Sequence, residues 1–243
     1  GNNLRVYNLT GHKLFTGYPE GRRMWLNMRW FNAAGNMVRE DGRYGNKQVQ
    51  IAGLNLSVKT LLDPHDANSK LWHVEGGMTQ EWAAQLLSIG TDPNIALSYD
   101  TTNSSVVQTL GGLAAQPAGT VEPTMHFVWN NIVLEDNRIP PYEFSYDSAN
   151  TRNCLPVPNN QYGSPGVGGT YNHYDDITLN PPSGAVRGEI RLVYQTTSWE
   201  LIQFLFLAND GSVPFLASTG LDLAKAWYQT GMSQPEVMAS ITW

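Results

Sequence analysis

Val237-Met238-Ala239-Ser240-Ile241-Thr242-Trp243 alternates without interruption. Val237, Ala239, Ile241 and Trp243 point one way, and Met238, Ser240 and Thr242 the other. That is the two-residue period of a β-strand. Met24 to Phe31 repeats it, with Met24, Leu26, Met28 and Trp30 on one face, and Asn32-Ala33-Ala34-Gly35-Asn36 then reads as a hairpin turn. Leu4–Leu9, Gln48–Ala52, Lys70–Val74, Thr124–Leu134 and Gly188–Tyr194 supply further strand patterns.

Helical spacing is confined to three short stretches. Thr79 can cap Gln80–Ser88, whose Trp82, Ala83, Leu86 and Leu87 share a face. Thr197 or Ser198 can cap Trp199–Leu207. Leu221–Thr230 carries Leu223, Ala226 and Trp227 on one stripe and stops at Gly231. Between Arg138 and Pro182 lies an irregular segment holding half of the chain's 14 prolines. A loop of that length inside a domain is functional or interface-forming. We therefore expect a mainly β fold: one antiparallel β-sandwich domain over residues 1–243, with a few short helices and a long Pro/Gly-rich loop at 138–182.

Composition narrows the function. The 243 residues are only 15% charged, with a net charge of −6. Nucleic acid wants a basic face, and no basic run exceeds Arg22-Arg23, so no nucleic-acid partner is expected. No apolar stretch approaches the roughly 18 residues of a membrane span. Few charges and many Asn, Gly, Ser, Thr and aromatic residues suit the outside of a cell. A chain that starts at Gly1 rather than Met reads as processed or as a fragment, and with this composition we expect an exported protein that has lost its signal peptide. Asn8, Asn55 and Asn103 open Asn-x-Ser/Thr sequons.

Cys154 is the only cysteine. It excludes an internal disulfide, a Cys-based zinc site and covalent haem attachment, which needs Cys-x-x-Cys-His; the chain is expected to carry no cofactor of its own. Beside Arg152, Cys154 reads as a small buried hydrophobe rather than an activated thiol. Gly163-Ser164-Pro165-Gly166 is not a nucleophile elbow, because Pro cannot start the tight strand-turn-helix, and no phosphate-cradling glycine loop is present. No enzyme activity is expected. Among the histidines, no two lie at a spacing that preorganises zinc. His73 and His126 fall in strand patterns, and His173 stands beside Asp175 and Asp176. His12 lies between Gly11 and Gly17 in a turn straight after a strand, which is good geometry for presenting an imidazole to a metal or cofactor.

The chain resembles the haem-free carboxy-terminal domain of a group of bacterial multihaem c-type cytochromes over nearly its full length. Thr10-Gly11-His12-Lys13-Leu14-Phe15-Thr16-Gly17-Tyr18-Pro19 with Arg22-Arg23-Met24-Trp25-Leu26 carries the likeness. So do Asp136-Asn137-Arg138-Ile139-Pro140-Pro141-Tyr142, Gly168-Gly169-Thr170-Tyr171-Asn172, Thr197-Ser198-Trp199-Glu200, Gln203-Phe204-Leu205, Ala208-Asn209-Asp210-Gly211 and Thr230-Gly231-Met232. At Phe15 the family has Pro, and the family's haem-bearing segment is not part of this sequence. The resemblance implies that His12 is a candidate distal ligand for a haem held by a cytochrome segment.

Three functions are then expected to compete. The leading one is a non-catalytic extracellular structural subunit that assembles with itself into a filament or tube. Its contact residues would be Tyr142, Phe144, Tyr146, Tyr162, Tyr171, Tyr174 and Trp243, large aromatics of the kind enriched at interface cores. The second is an accessory domain of an extracellular electron-transfer cytochrome, with a multihaem cytochrome as partner. The third is a carbohydrate-binding module using exposed Trp and Tyr.

Overall fold

A computed structural model describes all residues, 1–243. Fourteen strands follow one another as β1 (Asn3–Tyr7), β2 (Arg23–Phe31), β3 (Met37–Asp41), β4 (Tyr44–Ile51), β5 (Leu54–Leu61), β6 (Leu71–Trp72), β7 (Val74–Thr79), β8 (Ala96–Tyr99), β9 (Val106–Thr109), β10 (Val121–Pro123), β11 (Ile132–Asp136), β12 (Tyr174–Thr178), β13 (Arg187–Gln195) and β14 (Glu236–Thr242). Five short helices decorate them: α1 (Gln80–Ser88), α2 (Leu110–Ala114), α3 (Tyr146–Thr151), α4 (Trp199–Ala208) and α5 (Thr219–Gln229). The fold is mainly β with antiparallel sheets, as the alternation predicts. No helix is long and apolar enough to cross a membrane.

The largest sheet runs β14-β13-β2-β3, with β6 also on β2. β2 is its centre, and the predicted stretch Met24–Phe31 covers eight of its nine residues: Met24, Leu26, Met28 and Trp30 enter the main core with Ile190 of β13 and Trp72 of β6. The opposite face is covered too, because Trp25 packs with Leu61 and Val193. The predicted hairpin turn closes on Asn32, whose side chain accepts from the Ala34 and Asn36 amides at 3.1 and 3.0 Å, with Gly35 at φ +81°. Such an Asn-centred turn leaves only Gly the left-handed position.

Two satellite cores flank this sheet. The β4–β5 hairpin packs Val49, Ile51 and Val58 on Trp199 and Ile202 of α4 and Trp227 of α5. Ser198, not Thr197, caps α4, accepting from the Leu201 amide at 3.3 Å. The other core joins Met78 of β7 to α1, α2 and Leu97 of β8. Thr79 caps α1 as predicted, accepting from Trp82 N at 3.3 Å.

Three readings are corrected. Thr124–Leu134 is not one strand. Residues 125–130 form a turn, and β10 and β11 flank β7 on opposite sides. Local bonds close that turn: the Asn130 side-chain amide donates to Thr124 O at 3.0 Å, and the His126 backbone amide donates to Thr124 Oγ1 at 3.1 Å. Such side-chain bonds compete with strand pairing. His126 therefore sits in a turn, stacked on Trp129 and edge-on to Phe204.

The alternation of β14 is broken by an extra residue at Met238. Ala239 pairs Leu192 and Val237 pairs Val193, neighbours on opposite faces, so Val237 leaves the Ala239–Ile241–Trp243 row.

The 138–182 segment is not a free loop. It contains α3 and β12, and β12 pairs β1 over its full length. Ile139, Tyr162, Tyr171 and Leu179 enter the main core.

Candidate functional site

Asn8 follows β1 and is buried to 1% exposure. Its amide donates to the His12 and Ile139 carbonyls, each at 2.8 Å. Its Oδ1 accepts from the Thr10 amide and hydroxyl, both at 2.8 Å. The Asn8 backbone amide donates to His173 O at 2.8 Å. One side chain thus closes the 8–12 turn and ties it to the chain before Tyr142, while the backbone ties it to His173. A side chain so enclosed cannot accept a glycan, so the Asn8 sequon is not an accessible one.

The turn is fixed from its other side as well. Leu14 pairs Ile139 as an isolated bridge. Lys13 is buried, and its Nζ meets Asp136 Oδ2 at 2.6 Å. Arg138 grips the same carboxylate at 2.8 and 2.9 Å and donates through Nη1 to Thr16 O at 2.7 Å. Burial alone would push the Asp136 carboxyl up. The hydrogen bond from Arg138 and the two positive charges outweigh it, and hold the carboxyl below the usual range.

On this scaffold His12 is exposed. Its Nδ1 lies 3.0 Å from the Lys13 carbonyl oxygen. A carbonyl only accepts, so in that contact Nδ1 carries the proton and Nε2 keeps its lone pair. Backbone carbonyls orient metal-ligating imidazoles in this way. In the neutral ring the lone pair of this exposed residue is then on Nε2, which has no hydrogen-bond partner within the chain and could serve as one ligand to a metal held elsewhere. Phe15, where the resembled family has Pro, faces inward, with its ring 5.6 Å from that of Tyr194. It takes no part in aiming the imidazole.

The predicted contact aromatics divide. Tyr162 and Tyr171 are buried in the chain's own core, and Tyr162 donates its hydroxyl to Asn137 O. These two cannot offer ring area to a neighbour, which corrects their place among the contact residues. Phe144 and Tyr146 are half-buried against the same core. Trp243 is half-buried edge-on to Trp30, with centroids 5.4 Å apart. Tyr174 lies under Arg5, whose guanidinium is 3.8 Å from its ring centre. Tyr142 stays 69% exposed.

Tyr7, Tyr142, His173 and Tyr174 make one surface cluster, with rings inclined at 45–85° to their neighbours. Two of these pairs meet edge to face and two are tilted, so the rings are not coplanar and form no flat shelf of the kind on which sugar rings stack. Asp176 is engaged by Arg5, and Asp175 accepts from Trp72 Nε1 at 2.9 Å, so the carboxylates beside His173 already have partners.

The Asn8 clamp and the free Nε2 were missed by sequence reasoning. The only signal was an Asn four residues before the His, which a sequon also explains. A hollow of about 550 Å³ lies elsewhere, between the β10-β7-β11 sheet and α4, and none of the predicted site residues lines it.

No family model and no curated protein matches the chain. Among solved structures, the crystal structure of a penta-heme cytochrome c552 from Thermochromatium tepidum shows a distant likeness, with 11% identity and a TM-score of 0.37. The match covers 99% of this chain and 34% of that one, so the chain spans about a third of that cytochrome's length.

Proposed function

We propose that this chain is a haem-free, non-catalytic accessory module of an exported electron-transfer cytochrome, and that His12 gives its Nε2 to a haem iron held by another segment or subunit. One observation carries the reading: Nδ1 of the exposed His12 lies 3.0 Å from Lys13 O on a turn fixed by Asn8 and Asp136, so the neutral ring keeps its lone pair on Nε2, which has no partner within the chain. The haem would supply the redox chemistry; this chain would hold the imidazole in one orientation and tautomer. The test is titration of a microperoxidase, a haem peptide with one histidine ligand and an open sixth position. The wild-type chain should convert it to a low-spin spectrum, and His12→Ala should not. A wild-type chain that leaves the spectrum unchanged, or a His12→Ala chain that converts it equally well, overturns the reading.

A second reading is favoured by a different observation. β14 forms a sheet edge and is exposed at all seven residues, including Val237, Met238 and Ile241. A structural subunit that associates with itself outside the cell, into a filament or tube, would use such an edge. Light scattering across a wide concentration range tests it, and a strictly monomeric chain rules it out.

A further inference from the structure

We propose that two copies of this chain pair their β14 strands antiparallel about a two-fold axis at Ile241, joining their large sheets into one. The proposal rests on the self-association reading and gives it a geometry.

The backbone decides the register. Gly188 and Trp243 exchange both hydrogen bonds, at 3.0 and 2.9 Å. In an antiparallel ladder such pairs alternate with pairs that exchange none. Thr242 opposite Glu189, and Ser240 opposite Arg191, are therefore the non-bonded pairs. Their N–H and C=O groups point away from β13, along the open edge. Centring the axis on Ile241 sets Ser240 of each copy against Thr242 of the other, and all four residues then exchange their free groups. Ile241 meets Ile241, and Ala239 meets Trp243, a small side chain beside an indole. The hydroxyl residues share the other face, where Ser and Thr side chains pair well across strands. The inserted residue at Met238 falls just outside the paired stretch.

Charge points to a second copy as the occupant. The opposite sheet edge, β3, carries Arg39, Glu40 and Asp41, the kind of protection natural edges use. β14 has neither Pro nor Lys, and its one charge, Glu236, lies beyond the paired residues. The row Ala239–Ile241–Trp243 is complementary to itself in reverse, so the contact is isologous and closes at a dimer. A filament would then need a second surface.

The test uses cysteine placement in a Cys154→Ser background. Ile241→Cys faces itself across the axis, at about 4.5–5.5 Å between Cβ atoms, and should form an intermolecular disulfide under mild oxidation. Ala239→Cys should not, because its counterpart is offset by four residues, about 13 Å. In light scattering the wild-type chain should show twice the mass of Ser240→Pro, whose lost N–H points outward and leaves the β13 ladder intact. Ile241→Lys, a charged edge residue, provides a second monomeric variant should the proline variant not fold. Linking at Ala239 instead of Ile241, or a dimer that persists in folded Ser240→Pro or Ile241→Lys, overturns the register while self-association stands. A wild-type chain that is monomeric up to millimolar concentration overturns both.

Discussion

Lys13 and Asp136, 123 positions apart in sequence, meet in a buried ion pair at 2.6 Å. Because Arg138 binds the same carboxylate and reaches Thr16 O, this pair braces the chain on the far side of His12. Removing one partner of a buried pair leaves a charge without its counterion, at a cost of about 3–5 kcal/mol. Asp136→Asn should destabilise the fold by that order. The pH dependence has a definite sign. A carboxyl whose folded pKa is depressed contributes its full stabilisation above its unfolded pKa, about 3.9, and loses it as pH falls through the lower folded value. The gap between wild type and Asp136→Asn in urea unfolding should therefore be full near neutrality and shrink below about pH 4. A gap independent of pH would show that Asp136 acts through packing alone.

Asn8 should control the chemistry of His12 from beneath. Asn8→Ala removes one of two donors from each of the Ile139 and His12 carbonyls, which keep the Leu14 amide and the Thr10 hydroxyl. Each hydrogen bond lost in this way costs about 0.5–1.5 kcal/mol. The more specific readout is the imidazole itself. Nitrogen-15 correlation spectra of the wild-type ring should show the Nδ1–H tautomer near neutral pH, and Asn8→Ala should shift the ring toward a mixture. A wild-type ring found as the Nε2–H tautomer would contradict the free Nε2 on which the ligand reading stands.

Much of the sheet was legible because its signal is local. β2 alternates large side chains over nine residues and lies at the centre of a sheet, so every predicted inward residue is buried. Ser198 and Thr79 precede helices whose first turns need an acceptor, and both provide one. The segment from Arg138 to Pro182 was opaque for the opposite reason. Its prolines and glycines read as loop, whereas its order comes from distant partners: β12 finds β1, and Arg5 grips Asp176 across 171 positions. Met125, Phe127, Val128 and Trp129 mimic a strand, yet the Asn130 and Thr124 side chains close a turn through them. The imidazole at His12 was visible in the sequence. The carbonyl that fixes its tautomer was not, since every residue has one.

His126 gives a second pH dependence of the same direction. Its ring is packed between Trp129 and Phe204, and Nε2 lies 2.9 Å from Ala96 O. Burial pulls its pKa below the ordinary histidine value, against the opposing pull of that carbonyl. The unfolded chain then takes up a proton before the folded one does, so stability is present above about pH 6.5 and is lost as pH falls below it. The wild-type urea midpoint should drop between about pH 7.5 and about pH 5.5. His126→Gln, which can still donate to Ala96 O, should drop less. Equal slopes for the two proteins would mean that other groups govern this range.

Gly21 should resist any side chain, for two separable reasons. Its φ is +66°, and a Cβ there would stand 2.3 Å from Leu201 Cδ2 and 2.6 Å from Leu201 Cβ. The approach is tight because Gly21 O accepts the Ser198 amide at 2.8 Å, docking the turn after Pro19 on the start of α4. The left-handed backbone costs a residue with a Cβ about 1–2 kcal/mol. Overpacking against a helix adds about 1–3 kcal/mol. Gly21→Ala should therefore lower stability by about 2–5 kcal/mol as the sum of the two. Leu201→Ala removes the Cδ2 and Cγ contacts but keeps Cβ, so it should relieve only part of the clash. In a double-mutant cycle the two changes should couple favourably by about 1 kcal/mol or more, since residues in contact are not additive. Strict additivity would mean that α4 moves aside at no cost, and that the backbone angle alone requires glycine here.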